Sequence, residues 1–420
     1  MESPGQEAGP RAALRVLRSR NFAPYFVGNA ASASGTWFQN LAASILLYRL
    51  THSAFLLGVL NFCQFIPILL LSPWAGTIAD RVDRRRLVLV TQLVAAALSA
   101  VLAALAWADS AGAAVVIGFS LALGVTSAFS APASQALIVQ LVEQDDVPQA
   151  VALNSMTYNL ARALGPVTAA AVIKFAGIPP AFALNALSYL VLVVALFMVT
   201  PREQERDPRA TLRDSFSLLR REPMLGAYLL IVMAVGFASD PINTEAPAFA
   251  EAFGYPDTAA GIIIGVFGAG AVTAAFVVAG RVAGSRRRMA GTLTLLAAGV
   301  AMFAVTPWLL LAFVPLFIGG FGYLASNTAA TTRLQLGVAE WQRGRIMALW
   351  SIAFLGMRPF ASLVDGAIAD LAGVRLAGVV LALPAAAGAA AIALLERRRT
   401  AGRPAARPAP RSGPQPPVSR

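Results

Sequence analysis

Long stretches without a charged residue alternate with short charged segments along most of the chain. Residues 54–75 provide 22 positions and residues 87–107 provide 21, none of them charged. Because a helix rises about 1.5 Å per residue, either stretch can cross the roughly 30 Å hydrocarbon core of a bilayer. The pattern therefore predicts an all-α membrane protein.

The same pattern along the whole chain predicts twelve transmembrane helices. The expected spans are residues 21–48, 54–79, 87–107, part of 110–142, 149–175, 180–199, 224–249, 258–280, two spans within 289–333 that part near Pro307, 345–370 and 376–395. The most polar internal segment follows the sixth span, where residues 200–222 contain 11 charged side chains. The spans are therefore expected to form two bundles of six.

These boundaries divide the chain into five regions. They are an N-terminal segment 1–20, a first six-helix bundle 21–199, a linker 200–222, a second six-helix bundle 223–395 and a basic C-terminal tail 396–420. The tail is rich in Pro, Arg and Ala and too polar to bury a core, so it is expected to be disordered.

Two internal matches indicate that the second bundle repeats the first. The basic segment 280–288 is a degraded copy of segment 76–86, and Ala-Leu-Asn-Ser at 152–155 matches Ala-Leu-Trp-Ser at 348–351. In this register Arg162 of the fifth span corresponds to Arg358 of the eleventh. Parallel six-helix repeats fit these matches. Inverted repeats would not place a basic segment after both the second and the eighth span.

Composition narrows the class of protein further. The chain is 57% hydrophobic and only 13% charged, with a mean hydropathy of +0.67. A single cysteine, Cys63, excludes an internal disulfide, and a single histidine, His52, excludes a multi-histidine metal site. The sequence lacks the phosphate-binding loop of an ATP-driven pump. We therefore expect no enzyme activity, no catalytic residue, no metal and no cofactor.

The positions of the basic residues along the chain explain the net charge of +12. Of the 33 Lys and Arg residues, 28 lie in the termini or in even-numbered loops. Under the positive-inside rule, both termini and the central linker are expected to be cytoplasmic. The basic balance then indicates contact with anionic lipid rather than with nucleic acid.

The segment between the second and third spans has the spacing Gly-x-x-x-Asp-Arg-x-x-Arg-Arg, with Gly76, Asp80, Arg81, Arg84 and Arg85 at the defined positions. This spacing resembles the loop signature of the major facilitator superfamily. The resemblance implies that the aspartate latches the two halves by contacting the eleventh helix on the cytoplasmic side. A basic segment that only anchors topology is the alternative interpretation. The chain departs from the signature at 83, where Asp stands in place of the usual Gly.

The fifth span carries a Gly165-Pro166 pair, and Pro inside a helix removes a backbone hydrogen bond and bends it. The pair partly resembles the motif associated with exporters of the superfamily, although a packing kink is an equally good interpretation. Arg162 lies near the middle of the same span. Because a buried arginine is costly in a bilayer unless it has a partner or a wet cavity, it is expected to have a functional or conformational role.

Several short motifs occur in order along the chain, among them Leu-Arg-Ser-Arg-Asn-Phe at 17–22, Gly-Thr-Trp-Phe-Gln at 35–39 and Arg-Gly-Arg at 343–345. Together they resemble the bacterial drug and siderophore exporters grouped with enterobactin and macrolide exporters. The resemblance implies the twelve-helix major facilitator fold in a bacterial inner or cytoplasmic membrane. It also implies a monomer that exports an amphipathic small molecule by proton antiport as its two halves rock. An uptake permease and a membrane protein that binds a ligand without transporting it remain alternatives.

Charged and polar residues inside the spans are the candidates for coupling and binding. Asp240, Glu245 and Asp365 are the candidate proton carriers, with Asp240 preferred. For Glu245, a position at the periplasmic end of its helix with no role in coupling is an equally good interpretation. The candidate cavity residues are Asn29, Gln39, Asn40, Arg162 and Arg358. Asp240 and Arg358 lie about 16 and 13 residues into their spans. Their levels then differ by roughly 4–5 Å, and an ion pair between them is expected.

Overall fold

A computed structural model describes residues 10–202, 219, 222–278, 282, 284–339 and 342–401. All regular structure within these residues is helical. The helices up to residue 197 are α1 (Pro10–Leu17), α2 (Ala23–Thr51), α3 (Ala54–Arg81), α4 (Arg84–Trp107), α5 (Ala113–Leu141), α6 (Val147–Ala176) and α7 (Ile178–Phe197). A short 3-10 turn, Gln144–Asp146, precedes α6.

The remaining helices belong to the second half. They are α8 (Pro223–Thr244), α9 (Ala246–Ala252), α10 (Ala259–Val278), α11 (Arg286–Val305), α12 (Leu309–Leu336), α13 (Arg343–Ser351), α14 (Arg358–Ala372) and α15 (Val374–Ala401). A five-residue π-helical segment, Ile352–Gly356, joins α13 to α14. The predicted break near Pro307 is confirmed, because α11 ends at Val305 and α12 begins at Leu309.

Ten helical stretches in the described part of the chain are long and apolar enough to cross a membrane. The 29-residue α2 and the 30-residue α6 are long enough but are not among the ten. Both contain polar side chains within the helix, including the charged Arg49 and Arg162, which lower their hydropathy. The helical membrane fold is thus confirmed, and the predicted total of twelve spans depends on these two polar helices.

The two chain ends contain more helix than the sequence pattern indicates. The prediction of disorder from residue 396 is wrong at its start, since α15 continues past Leu395 to Ala401. At the other end α1 packs near the start of α6, with Arg15 Nη2 2.5 Å from Asp146 Oδ1. Linker residues 203–218 and 220–221 and tail residues 402–420 lie outside the described residues.

Small residues let the helices of the second half approach closely. A Cβ on Gly299 of α11 would lie 2.6 Å from the Pro315 carbonyl oxygen of α12, and one on Gly270 of α10 would overlap the Phe317 carbonyl of α12. Only glycine allows the helix backbones to come this close. Gly270 and Gly299 therefore permit the close packing of α10 and α11 against α12.

Candidate functional site

The two halves pack against each other at the end of the molecule opposite the termini, here called the distal seam. There α3 lies against α14 and α6 lies against α10. Arg49 and Asp257, one from each half, form a two-point ion pair with Nε–Oδ2 at 2.5 Å and Nη2–Oδ1 at 2.9 Å. The structure is therefore closed at the distal seam.

The predicted latch lies at the other end of the halves. Asp80 is in the last turn of α3, but its side chain lies outside the described residues, so the latch stays a prediction. Arg85 donates a 2.6 Å hydrogen bond to the Leu196 carbonyl of its own half. Gly76 faces open space, Arg81 is exposed and Arg84 is half-buried.

The predicted ion pair between Asp240 and Arg358 is confirmed. Arg358 Nε lies 3.8 Å from Asp240 Oδ1, with the two side chains only 9% and 1% exposed. Thr244 donates a 3.0 Å hydrogen bond to the other carboxylate oxygen of Asp240. From the first half, the ring of Phe65 lies 4.6 Å from the Arg358 guanidinium. The pair thus joins α8 to α14 where α3 of the first half packs on them.

Prolines account for the irregular backbone around this pair. Pro359 lies in the first turn of α14, and its ring would clash with the carbonyl of Leu355 in a regular helix. The π segment that ends at Gly356 widens the turn just before Arg358. On the other helix, α8 ends at Thr244 and the chain restarts as α9 with Pro247 in its first turn. The seventh span is therefore interrupted at Glu245.

Glu245 and Asp365 are buried like Asp240, and both are 0% exposed. Among the described residues their carboxylate oxygens have no hydrogen-bond partner. They lie within electrostatic range of each other and of Asp240. The three candidate proton carriers are therefore one buried acidic group shared by the end of α8 and by α14.

Arg162 reaches across the interface between the halves. It donates hydrogen bonds to the Tyr323 hydroxyl of α12 and, at 3.4 Å, to Asn243 Oδ1 of α8. Its guanidinium lies 4.8 Å from the Tyr323 ring and 5.5 Å from the ring of Trp37 in α2. Tyr323 is absent from the sequence-based candidates, because a tyrosine in an apolar, glycine-rich span carries no signal of its own.

The three polar candidates of α2 have different surroundings. Asn40 accepts a 2.8 Å hydrogen bond from Gln64 and lines a small cavity between the halves. Asn29 is half-buried and donates to Asn154 of α6 at 2.7 Å. Gln39 does not line this small cavity, since its Oε1 accepts hydrogen bonds from Ser99 at 2.7 Å and from Asn185 at 2.6 Å inside the first half. A helix turns by about 100° per residue, so neighbours 39 and 40 face different elements.

The Gly-Pro pair of the fifth span lies within the uninterrupted α6. A Cβ on Gly165 would lie 2.8 Å from the Trp37 Cβ of α2. One on Gly261 of α10 would lie 2.6 Å from the Pro166 carbonyl oxygen. The pair thus packs α6 against both halves, which supports the packing interpretation.

The polar residues that face each other between the halves surround the small cavity. It has a volume of about 20 Å³ and room for roughly one water molecule. Its lining includes Trp37, Asn40, Asn61, Phe65, Asn243 and Arg358. In this conformation the mid-depth Arg358, aromatic rings and amide groups therefore meet in a nearly closed space.

The sequence profile of the transmembrane secretion effector family matches residues 11–417. The chain belongs to this family of major facilitator transporters. Members and relatives with similar sequences include the staphyloferrin A transporter of Staphylococcus aureus, 27% identical over 81% of this chain and 87% of that protein. The enterobactin exporter of Shigella boydii is 23% identical over 79% of this chain and 80% of its own length. Macrolide efflux protein A of Streptococcus pyogenes is 24% identical over 54% and 58% of the two chains.

Solved structures of transporters share the fold of this chain. A bacterial homologue of the human lysosomal transporter Spinster, in an inward-facing and unoccupied conformation, aligns with a TM-score of 0.74. The alignment covers 95% of this chain and 100% of that one at 14% identity. A D-xylose–proton symporter aligns with a TM-score of 0.65 over 86% and 97% of the two chains, also at 14% identity. The chain is a multi-pass membrane transporter of small molecules.

Proposed function

We propose that this transporter exports an amphipathic small molecule by proton antiport and that it catalyses no covalent reaction. The observation that carries the proposal is the buried Asp240–Arg358 pair, whose groups are 3.8 Å apart at the interface between the halves. A carboxylate paired with an arginine at this depth can switch between two states, because protonation of the carboxylate breaks the ion pair and releases the arginine. The names of the siderophore and macrolide exporters among its relatives support the outward direction.

Alternating access supplies the movement. The halves are packed at the distal seam, and the bidentate Arg49–Asp257 pair spans it. We propose that both termini are cytoplasmic, as the arginine distribution predicts, so that the structure corresponds to an inward-facing state of a monomer in a bacterial cytoplasmic membrane. A reporter fused after Arg399 should then be cytoplasmic, and one inserted near Asp109 should be periplasmic. A periplasmic C-terminal reporter would contradict this orientation.

Transport can be tested in cells with and without the protein, exposed to a panel of amphipathic compounds. Expressing cells should accumulate less of at least one compound, and a protonophore should remove the difference. Asp240→Asn should abolish gradient-driven transport while it retains binding. Asp145→Asn is the matched control, because Asp145 is exposed in the short turn before α6.

Each alternative has its own outcome in this assay. Higher accumulation in expressing cells would indicate an uptake permease. Binding without any change in accumulation would indicate a membrane protein that binds a ligand and does not transport it. Full gradient-driven transport by Asp240→Asn would remove Asp240 from the coupling mechanism and leave Glu245 and Asp365 as candidates.

A further inference from the structure

Arg162 has neutral partners at the interface between the halves. Its two hydrogen bonds go to a tyrosine hydroxyl and to a carboxamide oxygen, and its flat faces lie near the rings of Tyr323 and Trp37. Within the described part of the chain, no carboxylate lies at ion-pair distance from its guanidinium. This cation is therefore placed at mid-depth without a protein counter-charge in contact.

The charges around Arg162 leave a positive excess. Among the carboxylates of the described residues, Asp240 is the one that interacts electrostatically with Arg162, and it is already the ion-pair partner of Arg358. Glu245 and Asp365 interact with Asp240 but with neither arginine. Two guanidinium groups thus share one carboxylate. Because an unbalanced cation is unfavourable in a low-dielectric interior, the site is complementary to one added negative charge.

The surroundings also indicate the shape of that anion. An arginine presents five N–H donors in a planar fork, which suits the two oxygens of a carboxylate. The rings of Trp37 and Tyr323 lie beside the fork, and Tyr158 meets Trp37 edge to face at 5.9 Å. Aromatic walls with a planar cation fit an oxyanion attached to an aromatic or apolar body.

We propose that Arg162 binds the anionic group of the substrate and that this transporter selects amphipathic carboxylates or similar oxyanions over neutral and cationic analogues. The inference rests on the proposed transport function and adds the charge class of the substrate. A cationic substrate would require an accessible carboxylate, whereas Asp240 is paired and Glu245 and Asp365 are 0% exposed. Outward movement of an anion is also favoured by an inside-negative membrane potential.

Three dansyl compounds provide the test, because they share one aromatic body and differ in charge. Dansylglycine is an anion, dansylglycinamide is neutral and dansylcadaverine is a cation at neutral pH. Binding to the full-length protein in nanodiscs is measured by dansyl fluorescence, with empty nanodiscs as the baseline. Dansylglycine should bind at least about tenfold more tightly than its amide, as expected for a charge-assisted contact.

Variants of Arg162 then identify the residue that recognises the charge. Arg162→Gln should remove the preference for the acid without changing amide binding, and Arg162→Lys should keep part of it. Arg333→Gln is the matched control and should leave the preference intact. Arg333 also donates to a tyrosine, Tyr228, at 2.8 Å and lies 5.6 Å from its ring, but away from Arg162 within the second half.

The inference is overturned if wild-type protein binds none of the three probes, if it binds the amide or the cation as tightly as the acid, or if Arg162→Gln keeps the acid preference. Failure of the proposed function is a different result. In that case no compound in the cellular panel is transported in response to the gradient, whatever the charge preference in nanodiscs.

Discussion

A single methyl group at the distal seam should change the conformational equilibrium of this transporter. Gly58 lies in α3 where α14 crosses it, and a Cβ there would overlap the Ser362 carbonyl oxygen. The same Cβ would lie 3.1 Å from the Ser362 carbonyl carbon and 3.4 Å from Gly366 Cα. These neighbours are backbone atoms, so no rotamer change can relieve the overlap. Gly58→Ala is therefore expected to separate α3 from α14.

The size of the effect follows from two opposing terms. Overpacking costs roughly 1–3 kcal/mol, and it acts only on the state in which the distal seam is closed. The better helix propensity of alanine contributes up to about 1 kcal/mol in both states and cancels from the equilibrium between them. A differential of about 1–3 kcal/mol changes the ratio of closed to open molecules by roughly 5–150-fold.

Cysteine labelling measures this ratio. In a Cys63→Ser background, Asn61→Cys places a thiol in the small cavity, behind the distal seam. A membrane-impermeant maleimide added on the side opposite the termini should label it at least about fivefold faster in Gly58→Ala, the lower bound of the expected shift.

The matched control is Gly118→Ala in α5. Gly118 is also near the distal end of its helix, but a Cβ there has no neighbouring atom within 4 Å. Its labelling rate should equal that of the parent protein. Equal rates in all three proteins would refute the idea that close α3–α14 packing holds this state closed.

Three further predictions concern charged residues. Arg358→Ala leaves Asp240 buried without its cation and should lower the stability of the protein by about 3–5 kcal/mol, whereas adding Asp240→Asn should recover part of this loss. Thermal unfolding in detergent measures the stability of the single and double variants. Strictly additive losses would mean that the two residues act independently. Asp80→Asn should leave the protein abundant but disfavour the outward-facing state by roughly 0.3–2 kcal/mol. Cysteine labelling from either side of the membrane measures this shift. Unchanged labelling with unchanged transport would mean that the basic segment around Asp80 only anchors the topology. Arg49→Asp should shift the equilibrium toward the state with an open distal seam by about 0.2–1 kcal/mol, a small value because the Arg49 side chain is 45% exposed to solvent. Adding Asp257→Arg should restore closure. A double variant that labels faster than Arg49→Asp would contradict the pairing.

The local pattern of the sequence was sufficient for the helical framework. A charge-free run of about 20 residues can satisfy its backbone in lipid only as a helix, so span positions follow from composition alone. The break around Pro307 and the interruption near Glu245 also follow locally, because proline prevents a continuous helix. The Asp240–Arg358 pair was predictable because depth along each helix can be counted, and an unpaired charge at that depth is unfavourable.

The rotation of each helix about its axis was decided only by the tertiary structure. In a soluble protein the apolar stripe marks the inner face, but in a membrane helix both the lipid-facing and the bundle-facing positions are apolar. The sequence could therefore place Gln39 and Asn40 at one depth without distinguishing the residue that faces the cavity from the one bonded to Ser99 and Asn185. For the same reason Tyr323 gave no sign that it contacts Arg162, which lies 161 positions away along the chain. Contacts between separate helices depend on how their faces pack, and that packing exists only in the folded bundle.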